Sequence, residues 1–245
     1  MGLNKKVIVI AGPTGSGKTG VAIKIAKKIG GEIISADSRA IYKYMDIGTA
    51  KPLEDEQQGV PHFGIDLVEP GERFTVADWK AYAEQKIKEI EARGHVPMVV
   101  GGTGLYIDAL IYDYSFGEEK KKNATDREKM CSKYGVFCIK TDRNILKKRL
   151  EERVNKLFTQ KLYDETNMLV SRYGWESQAM KSNIYQFAWR YMQGELTLDE
   201  AKKLSALDDW HLAKRQITWF KRNKNIRYVP LEKTESAVLE YIQDE

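Results

Sequence analysis

Gly12-Pro13-Thr14-Gly15-Ser16-Gly17-Lys18-Thr19 is the stretch on which the fold turns. It matches G-x-x-x-x-G-K-[ST], the spacing of a loop that cradles phosphate. Its flanks suit that reading. Residues 5–11 (KKVIVIA) are apolar and β-branched after the lysines and predict a buried parallel strand. Residues 18–29 place Val21, Ala22, Ile25, Ala26 and Ile29 on one helical stripe, and Gly30-Gly31 predicts the stop. In such a loop the glycines let backbone N–H groups converge on phosphate oxygens, and the helix N-terminus adds the positive end of its dipole. Lys18 supplies a mobile cation, and the Thr19 hydroxyl can ligate Mg²⁺. The expected phosphate-binding set is Gly12, Pro13, Thr14, Gly15, Ser16, Gly17, Lys18 and Thr19, with Thr19 as the metal ligand. The alternative is a glycine-rich turn without a ligand, and the strand before and helix after weigh against it.

Working outward, Glu32–Ala36 (EIISA) predicts a second strand and Asp78 to Arg93 a helix with Ala81, Tyr82, Ile87 and Ile90 on its apolar side. Pro97–Val100 predicts a third strand, and residues 104–111 a helix. Residues 117–129 (GEEKKKNATDREK) are charged and lack apolar periodicity, which predicts a loop or boundary. Gly135–Ile139 predicts one more strand, Asp142 to Asn223 an almost wholly helical region, Arg227–Pro230 a short strand, and the last residues a helix. Strand and helix in alternation argue for a parallel sheet covered by helices. The expected fold is α/β: a P-loop NTPase-like, nucleotide-kinase-like parallel core with a helical second half. The expected divisions are residues 1–116, 117–133 and 134–245.

Composition narrows the class. The chain has 245 residues, 42% of them hydrophobic and 31% charged, which suits a soluble globular protein. A net charge of +5 is too mild to establish nucleic-acid binding. No apolar run approaches the roughly 20 residues a membrane span needs. The opening MGLNKKVIVIAG leads straight into the phosphate motif and does not read as a signal peptide. Cys131 and Cys138 fit neither a zinc pattern nor a disulfide framework, so two reduced thiols in the cytoplasm are expected.

The cradle reads a diphosphate or triphosphate but not what is attached to it. NTP hydrolysis usually needs a second carboxylate after an apolar strand to hold Mg²⁺. Pro97–Val100 ends instead in Gly-Gly-Thr, and the rival Asp66 in FGID has a weak apolar lead-in. A standard ATPase or GTPase is therefore not the best fit. Asp37 follows EIISA at the carboxyl end of a strand, where open α/β sheets bind ligands. It could accept a proton from an attacking amine or hold Mg²⁺. It could equally cap the next turn.

Three further stretches are distinctive: Asp37 to Pro52 (DSRAIYKYMDIGTAKP), Gly101-Gly102-Thr103-Gly104-Leu105-Tyr106, and Lys214-Arg215-Gln216-Ile217-Thr218-Trp219-Phe220. Together with the phosphate loop they resemble the tRNA dimethylallyltransferase family, over about residues 5–114 and 134–222. The resemblance implies a core that binds dimethylallyl diphosphate rather than ATP, with Mg²⁺, on Thr14–Thr19. It implies Asp37 as the general base for an adenine N6 amine, Thr103 as a contact to the target adenosine and Arg153 as a diphosphate ligand. Contacts to a tRNA anticodon stem-loop would come from Asp37, Ser38, Arg39 and Ala40, from the stretch Lys181–Gln186 with Lys181 and Gln186 at its ends, and from Lys214, Arg215, Gln216, Thr218, Trp219 and Lys221. The target is the adenosine immediately 3′ of the anticodon. A cytoplasmic monomer is expected. Family members carry a longer insertion after GGTGLY that helps grip the anticodon stem; here a short charged segment ending near Lys133 takes its place.

Without the resemblance, several of these residues read two ways. Arg149 and Arg153 lie four apart and, with Lys147 and Lys148, could form a solvated basic helix face. Lys214–Arg227 interleaves Lys and Arg with Trp219 and Phe220, which suits RNA backbone contact plus stacking. It also suits an amphipathic helix that buries Ile217 and Phe220. His62 and His211 receive no catalytic role. Three rival functions stand beside the main one: an adenylate prenyltransferase acting on free AMP, ADP or ATP, a P-loop small-molecule kinase, and a non-catalytic RNA-binding module. The short insertion favours the first, whereas KRQITWF and the basic helical half favour tRNA. A kinase leaves GTAKP and GGTGLY unexplained, and retained Lys18, Thr19, Asp37, Thr103 and Arg153 oppose the module.

Overall fold

In a computed structural model, which describes residues 6–116, 130–177, 179–180 and 184–243, six strands form one sheet. They are β1 (Val7–Ala11), β2 (Gly31–Ala36), β3 (His62–Phe63), β4 (Val96–Gly101), β5 (Tyr134–Lys140) and β6 (Arg227–Pro230). Their spatial order is β3-β2-β4-β1-β5-β6, and every neighbouring pair is parallel. The helices are α1 (Lys18–Ile29), α2 (Glu54–Gln57), α3 (Val76–Ala92), α4 (Gly104–Ile111), α5 (Arg143–Leu157), α6 (Gln160–Tyr173), α7 (Ile184–Met192), α8 (Leu198–Lys221) and α9 (Leu231–Gln243).

The alternation of strand side chains explains the layers. Val7, Val9 and Ala11 of β1 point with Ile34, Val99 and Val136 into a core closed by Trp79, Ile87 and Ile90 of α3 and by α4. Ile8 and Ile10 point the other way, with Ile33, Met98 and Phe137, against Val21, Ala22 and Ile25 of α1 and Val238 of α9. Because both faces are covered, the strands read as continuous apolar runs rather than as alternating ones. Parallel pairing brings the carboxyl ends of β1, β2 and β4 to one rim. The phosphate loop, Asp37 and Gly101–Thr103 all lie on that rim.

The helix starts follow local chemistry. Thr75 accepts from the Asp78 N–H while the Asp78 carboxylate accepts from the Thr75 N–H, so α3 begins at Val76, earlier than the expected start at Asp78. Thr197 and Glu200 do the same for α8. The Asp142 carboxylate caps α5 through the Asn144 and Ile145 amides. Two short elements, α2 and β3, escape the sequence reading, since stretches of four and two residues carry no usable periodicity. The charged stretch 117–129 and Lys181 lie outside the described residues. No helix among the described residues is long and apolar enough to cross a membrane.

A single carboxylate ties the helical half to the loop that follows β2. Glu165 of α6 accepts from the backbone N–H groups of Asp46 (3.0 Å), Ile47 (2.8 Å) and Gly48 (3.0 Å), and from the Tyr185 hydroxyl (2.5 Å). Tyr185 is fully buried; its burial, reinforced by Glu165, pushes its phenol above the ordinary value. The tyrosine ring packs so closely that a Cβ on Gly48 would lie 2.3 Å from Tyr185 Cζ, so only glycine fits. On the other side of the same loop the buried Lys51 ammonium donates to the Tyr42 carbonyl (2.5 Å) and to Asp46 (2.7 Å) and Asp66 (2.5 Å). Glu165→Ala leaves three backbone donors without their acceptor. We predict a loss of about 3 kcal/mol, read as a fall of roughly 6–12 °C in Tm by thermal unfolding.

Candidate active site

The phosphate loop has the backbone its sequence demands. Gly15 and Gly17 adopt φ of 76° and 86°, which side-chain-bearing residues rarely tolerate, and the Ser16 N–H turns back onto the Pro13 carbonyl at 3.2 Å. Lys18 opens α1 and folds over the loop, its ammonium 3.3 Å from the Pro13 carbonyl. Burial pushes that ammonium below its ordinary value; the Asp37 carboxylate opposes the shift and Arg153 adds to it. Arg153, which lines the cleft, has a buried Nε with no hydrogen-bond partner among the described residues, which suits an incoming anion.

Two cavities open from the loop. The first, about 270 Å³, is lined by the polar Thr14, Lys18 and Thr19 and by the apolar Ile33, Ala40, Ile65 and Val100, among others. The second, about 300 Å³, is more polar and is lined by Ser38, Arg39, Thr103, Gln186, Asp208 and Arg215, among others. Thr14, Lys18, Asp37, Thr49 and Arg153 line both. Asp37 therefore stands where the cavities meet and faces the same cleft as Lys18. Its Oδ1 also accepts from the Arg39 N–H at 2.9 Å, so the carboxylate caps the turn and borders the cleft at once.

The three glycines of Gly101-Gly102-Thr103-Gly104 each make room for a neighbour. A Cβ on Gly101 would lie 2.1 Å from the Ala36 carbonyl oxygen, one on Gly102 2.5 Å from Gln216 Nε2, and one on Gly104 2.1 Å from the Trp219 ring. This close approach lets Thr103 reach the turn after β2. Its hydroxyl accepts from the Ser38 N–H (2.9 Å) and donates to Ser38 Oγ (3.3 Å). Thr103, Ser38 and Asp37 thus form one wall of the cleft.

Arg149 and Arg153 do not lie on a solvated face. Lys147 and Lys148 are exposed, but Arg153 turns inward and its Nη1 donates to Thr14 Oγ1 (2.5 Å), while Nη2 reaches the Thr49 carbonyl (3.5 Å). Arg149 Nη1 reaches the Ser16 carbonyl at 3.5 Å. Asp209 of α8 stands 3.6 Å from Arg153, and burial pushes its carboxyl above the usual value, against the pull of Arg153. Nothing in the sequence pointed to Asp209 or Glu165, because their partners lie tens to more than a hundred residues away.

The α8 stretch divides by face. Lys214, Arg215, Thr218 and Lys221 are exposed. Gln216 and Trp219, read from sequence with the tRNA contacts, turn inward: Gln216 Oε1 accepts from the Thr14 N–H (2.8 Å), and Trp219 Nε1 donates to the buried Asp108 (2.8 Å). Phe220 is buried, as the amphipathic reading expects. Ala40 is buried, and Ser38 and Arg39 are half-buried. His62, given no role from sequence, sits in β3 on the wall of the first cavity with Nδ1 on the Val60 carbonyl (2.8 Å).

A magnesium ion fits this donor set. The Thr19 hydroxyl and the Asp37 carboxylate border the first cavity, and hard oxygens of this kind hold Mg²⁺ when phosphate oxygens complete the shell. Among the described residues no group of three or more His, Cys, Asp or Glu side chains forms a separate metal site.

Comparisons with known proteins agree with this geometry. Residues 40–136 and 118–223 match the family of IPP transferases, and residues 5–68 match isopentenyl transferases. A tRNA dimethylallyltransferase of Carboxydothermus hydrogenoformans is 35% identical, with 92% of each chain covered. The crystal structure of a tRNA isopentenylpyrophosphate transferase from Staphylococcus epidermidis superposes with a TM-score of 0.84 at 31% identity, covering 98% of this chain and 99% of that one. A full-length tRNA isopentenylpyrophosphate transferase of Bacillus halodurans gives the same TM-score at 29% identity, covering 98% and 96%.

If the cradle holds a diphosphate through Lys18, Lys18→Met weakens binding of inorganic pyrophosphate by about tenfold to a hundredfold, the worth of one charge-assisted hydrogen bond. Calorimetry checks this. Because the ammonium is depressed, raising the pH removes its charge sooner than in an exposed lysine. Wild-type affinity should therefore lose ground to that of Lys18→Met as the solution becomes alkaline.

Proposed function

The chain belongs to the IPP transferase family, the tRNA dimethylallyltransferases, and from that premise we propose that it moves a dimethylallyl group from dimethylallyl diphosphate to the N6 amine of the adenosine immediately 3′ of the anticodon. The observation that carries the residue-level reading is the position of Asp37 on the wall common to both cavities. In this reading the first cavity takes the donor, its diphosphate on the uncommitted amides of the Thr14–Thr19 loop, Lys18 and Arg153, and its prenyl group toward Ile33, Ile65 and Val100. The second takes the adenine, past Thr103 and Ser38.

The chemistry asks two things of the protein. The allylic C1–O bond breaks as the N6–C1 bond forms, so negative charge grows on the departing pyrophosphate. Fixed positive groups aimed at that charge lower the barrier. Lys18, Arg153 and the loop amides are placed for this, and Mg²⁺, which Thr19 would hold together with the phosphates, would add Lewis-acid stabilisation of the leaving group. The adenine amine is a poor nucleophile because its lone pair is delocalised into the ring. The Asp37 carboxylate orients the N–H and accepts the proton that N6 sheds. The adenosine must leave the anticodon-loop stack to reach so enclosed a place.

Arg215 of α8 lines the acceptor cavity, and Lys214 and Lys221 are exposed on the same helix; these cations suit the phosphates of an RNA loop. That favours tRNA over a free adenine nucleotide as acceptor. That one chain lines both cavities supports a monomer, and a tRNA substrate supports a cytoplasmic reaction.

The test mixes the protein, Mg²⁺ and labelled dimethylallyl diphosphate with unmodified tRNA or AMP. We expect label in tRNA next to the anticodon; label in AMP alone would identify an adenylate prenyltransferase. Asp37→Asn should lower kcat by about 10²–10⁴-fold while tRNA affinity, measured by filter binding, changes by less than about threefold. Equal loss of both would make Asp37 a binding residue.

A further inference from the structure

A third cavity, about 270 Å³, opens at the carboxyl end of β5 and shares no lining residue with either substrate cavity. Its walls are largely apolar: Ile139 of β5, Ile217 and Phe220 of α8, and the ring of Tyr228 on the edge strand β6. Phe220 is buried, whereas Tyr228 is exposed. Cations border it as well. Lys140, Arg143 and Lys221 all line the cavity, and none of their side chains pairs with an acid among the described residues. The one acid in the lining, Asp142, is spent on the Asn144 and Ile145 amides that start α5. Thr141, also in the lining, has a buried hydroxyl with no hydrogen-bond partner among the described residues.

An aromatic and aliphatic slot bordered by unpaired cations suits a flat body that carries negative charge. A nucleotide has that form, with a base for the slot and a phosphate for the cations. The position of the slot favours a nucleotide of an RNA. Arg215 lines the acceptor cavity and Lys221 lines this slot, and the two stand about 9 Å apart along the axis of α8. One RNA loop can reach both. Resting on the function proposed above, we propose that the slot takes a second unstacked nucleotide of the same RNA loop while the target adenosine occupies the acceptor cavity. Its base stacks on Tyr228 and packs against Ile217, and its phosphate meets Lys140, Arg143 or Lys221. A loop held at one base can pivot, and a loop held at two cannot, so the slot fixes which adenosine is presented. The Thr141 hydroxyl adds a preference among bases, since a base that offers it no partner leaves it buried and unpaired.

The experiment measures the Kd of anticodon stem-loop RNA by fluorescence anisotropy for wild type, Tyr228→Ala and Tyr228→Phe. Each protein meets the intact loop and loops made abasic at one nucleotide at a time. We expect Tyr228→Ala to weaken binding of the intact loop by about tenfold, the effect of losing one base stack, and Tyr228→Phe, which keeps the ring, to stay within about threefold of wild type. One abasic position other than the target should weaken wild type to the same extent and Tyr228→Ala no further. Equal affinity of wild type and Tyr228→Ala for the intact loop overturns the site. So does a loss in Tyr228→Ala to which no abasic position is coupled. Titration with AMP separates the sources: AMP that binds wild type but not Tyr228→Ala, with RNA affinity unmoved, makes the slot a mononucleotide site and overturns the RNA assignment. Should Tyr228→Ala not fold, Lys140→Glu decides. Weaker RNA binding with a salt dependence shallower by about one ion supports the site, and an unchanged salt dependence overturns it. Wild type that binds the RNA but transfers no prenyl group removes the proposed function and leaves the slot; prenylation with RNA affinity unmoved by Tyr228→Ala removes only the slot.

Discussion

A diphosphate can be held by main chain only if several N–H groups of one loop point to one place, and such a loop can spend few of its bonds on holding itself. Between Gly12 and Lys18 the backbone passes twice through left-handed φ, at Gly15 and Gly17, and Thr14, Gly15, Gly17 and Lys18 border the cleft. What holds it comes from far away in sequence. Leu146 and Leu150 of α5 lie under Gly15, Leu231 of α9 lies against Gly17, Gln216 takes the Thr14 amide, and Arg153 takes its hydroxyl. Every one of these residues belongs to the second half of the chain. The helical half is therefore one side of the cradle, and the loop's shape depends on how that half is docked.

Docking of the two halves is in turn a polar matter as much as an apolar one. Glu165 grips the 42–51 loop from the helical half through its amides, while Lys51 braces the loop from within through carbonyl and carboxylate oxygens. A carboxylate with three backbone donors and a tyrosine hydroxyl has its acceptor capacity nearly filled, so it can be withdrawn from water without a stranded charge. Thr49 sits at the end of this gripped loop and lends its carbonyl to Arg153. The clamp and the cleft are thus two ends of one short structure.

How much of this was legible in sequence depended on the range of the interaction. The strands β1, β2, β4 and β5, and the helices α1, α3 and α4, announce themselves through local periodicity, and Asp37 could be placed at the rim because strand ends in a parallel sheet bind ligands. The glycines of GGTGLY were visible as a motif, but their reason was not: the neighbours they admit, Gln216 and Trp219, are more than a hundred residues away. The same limit hid Glu165 and Asp209. In Lys214–Lys221 the difficulty was of another kind. Residues 216, 217, 219 and 220 all turn at least partly inward, and a stretch so rich in Lys and Arg does not say which of its polar and aromatic members face the solvent.

Charges of both signs meet in the cleft, where Asp37, Asp208 and Asp209 share the two cavities with Lys18, Arg39, Lys51, Arg153 and Arg215. A mixture of this kind lets a site exist without a ligand, since isolated buried charges would neutralise instead. It also makes the site responsive. A diphosphate seated against Lys18 and Arg153, as proposed, would add negative charge beside both and oppose the lowering that burial imposes on the Lys18 ammonium.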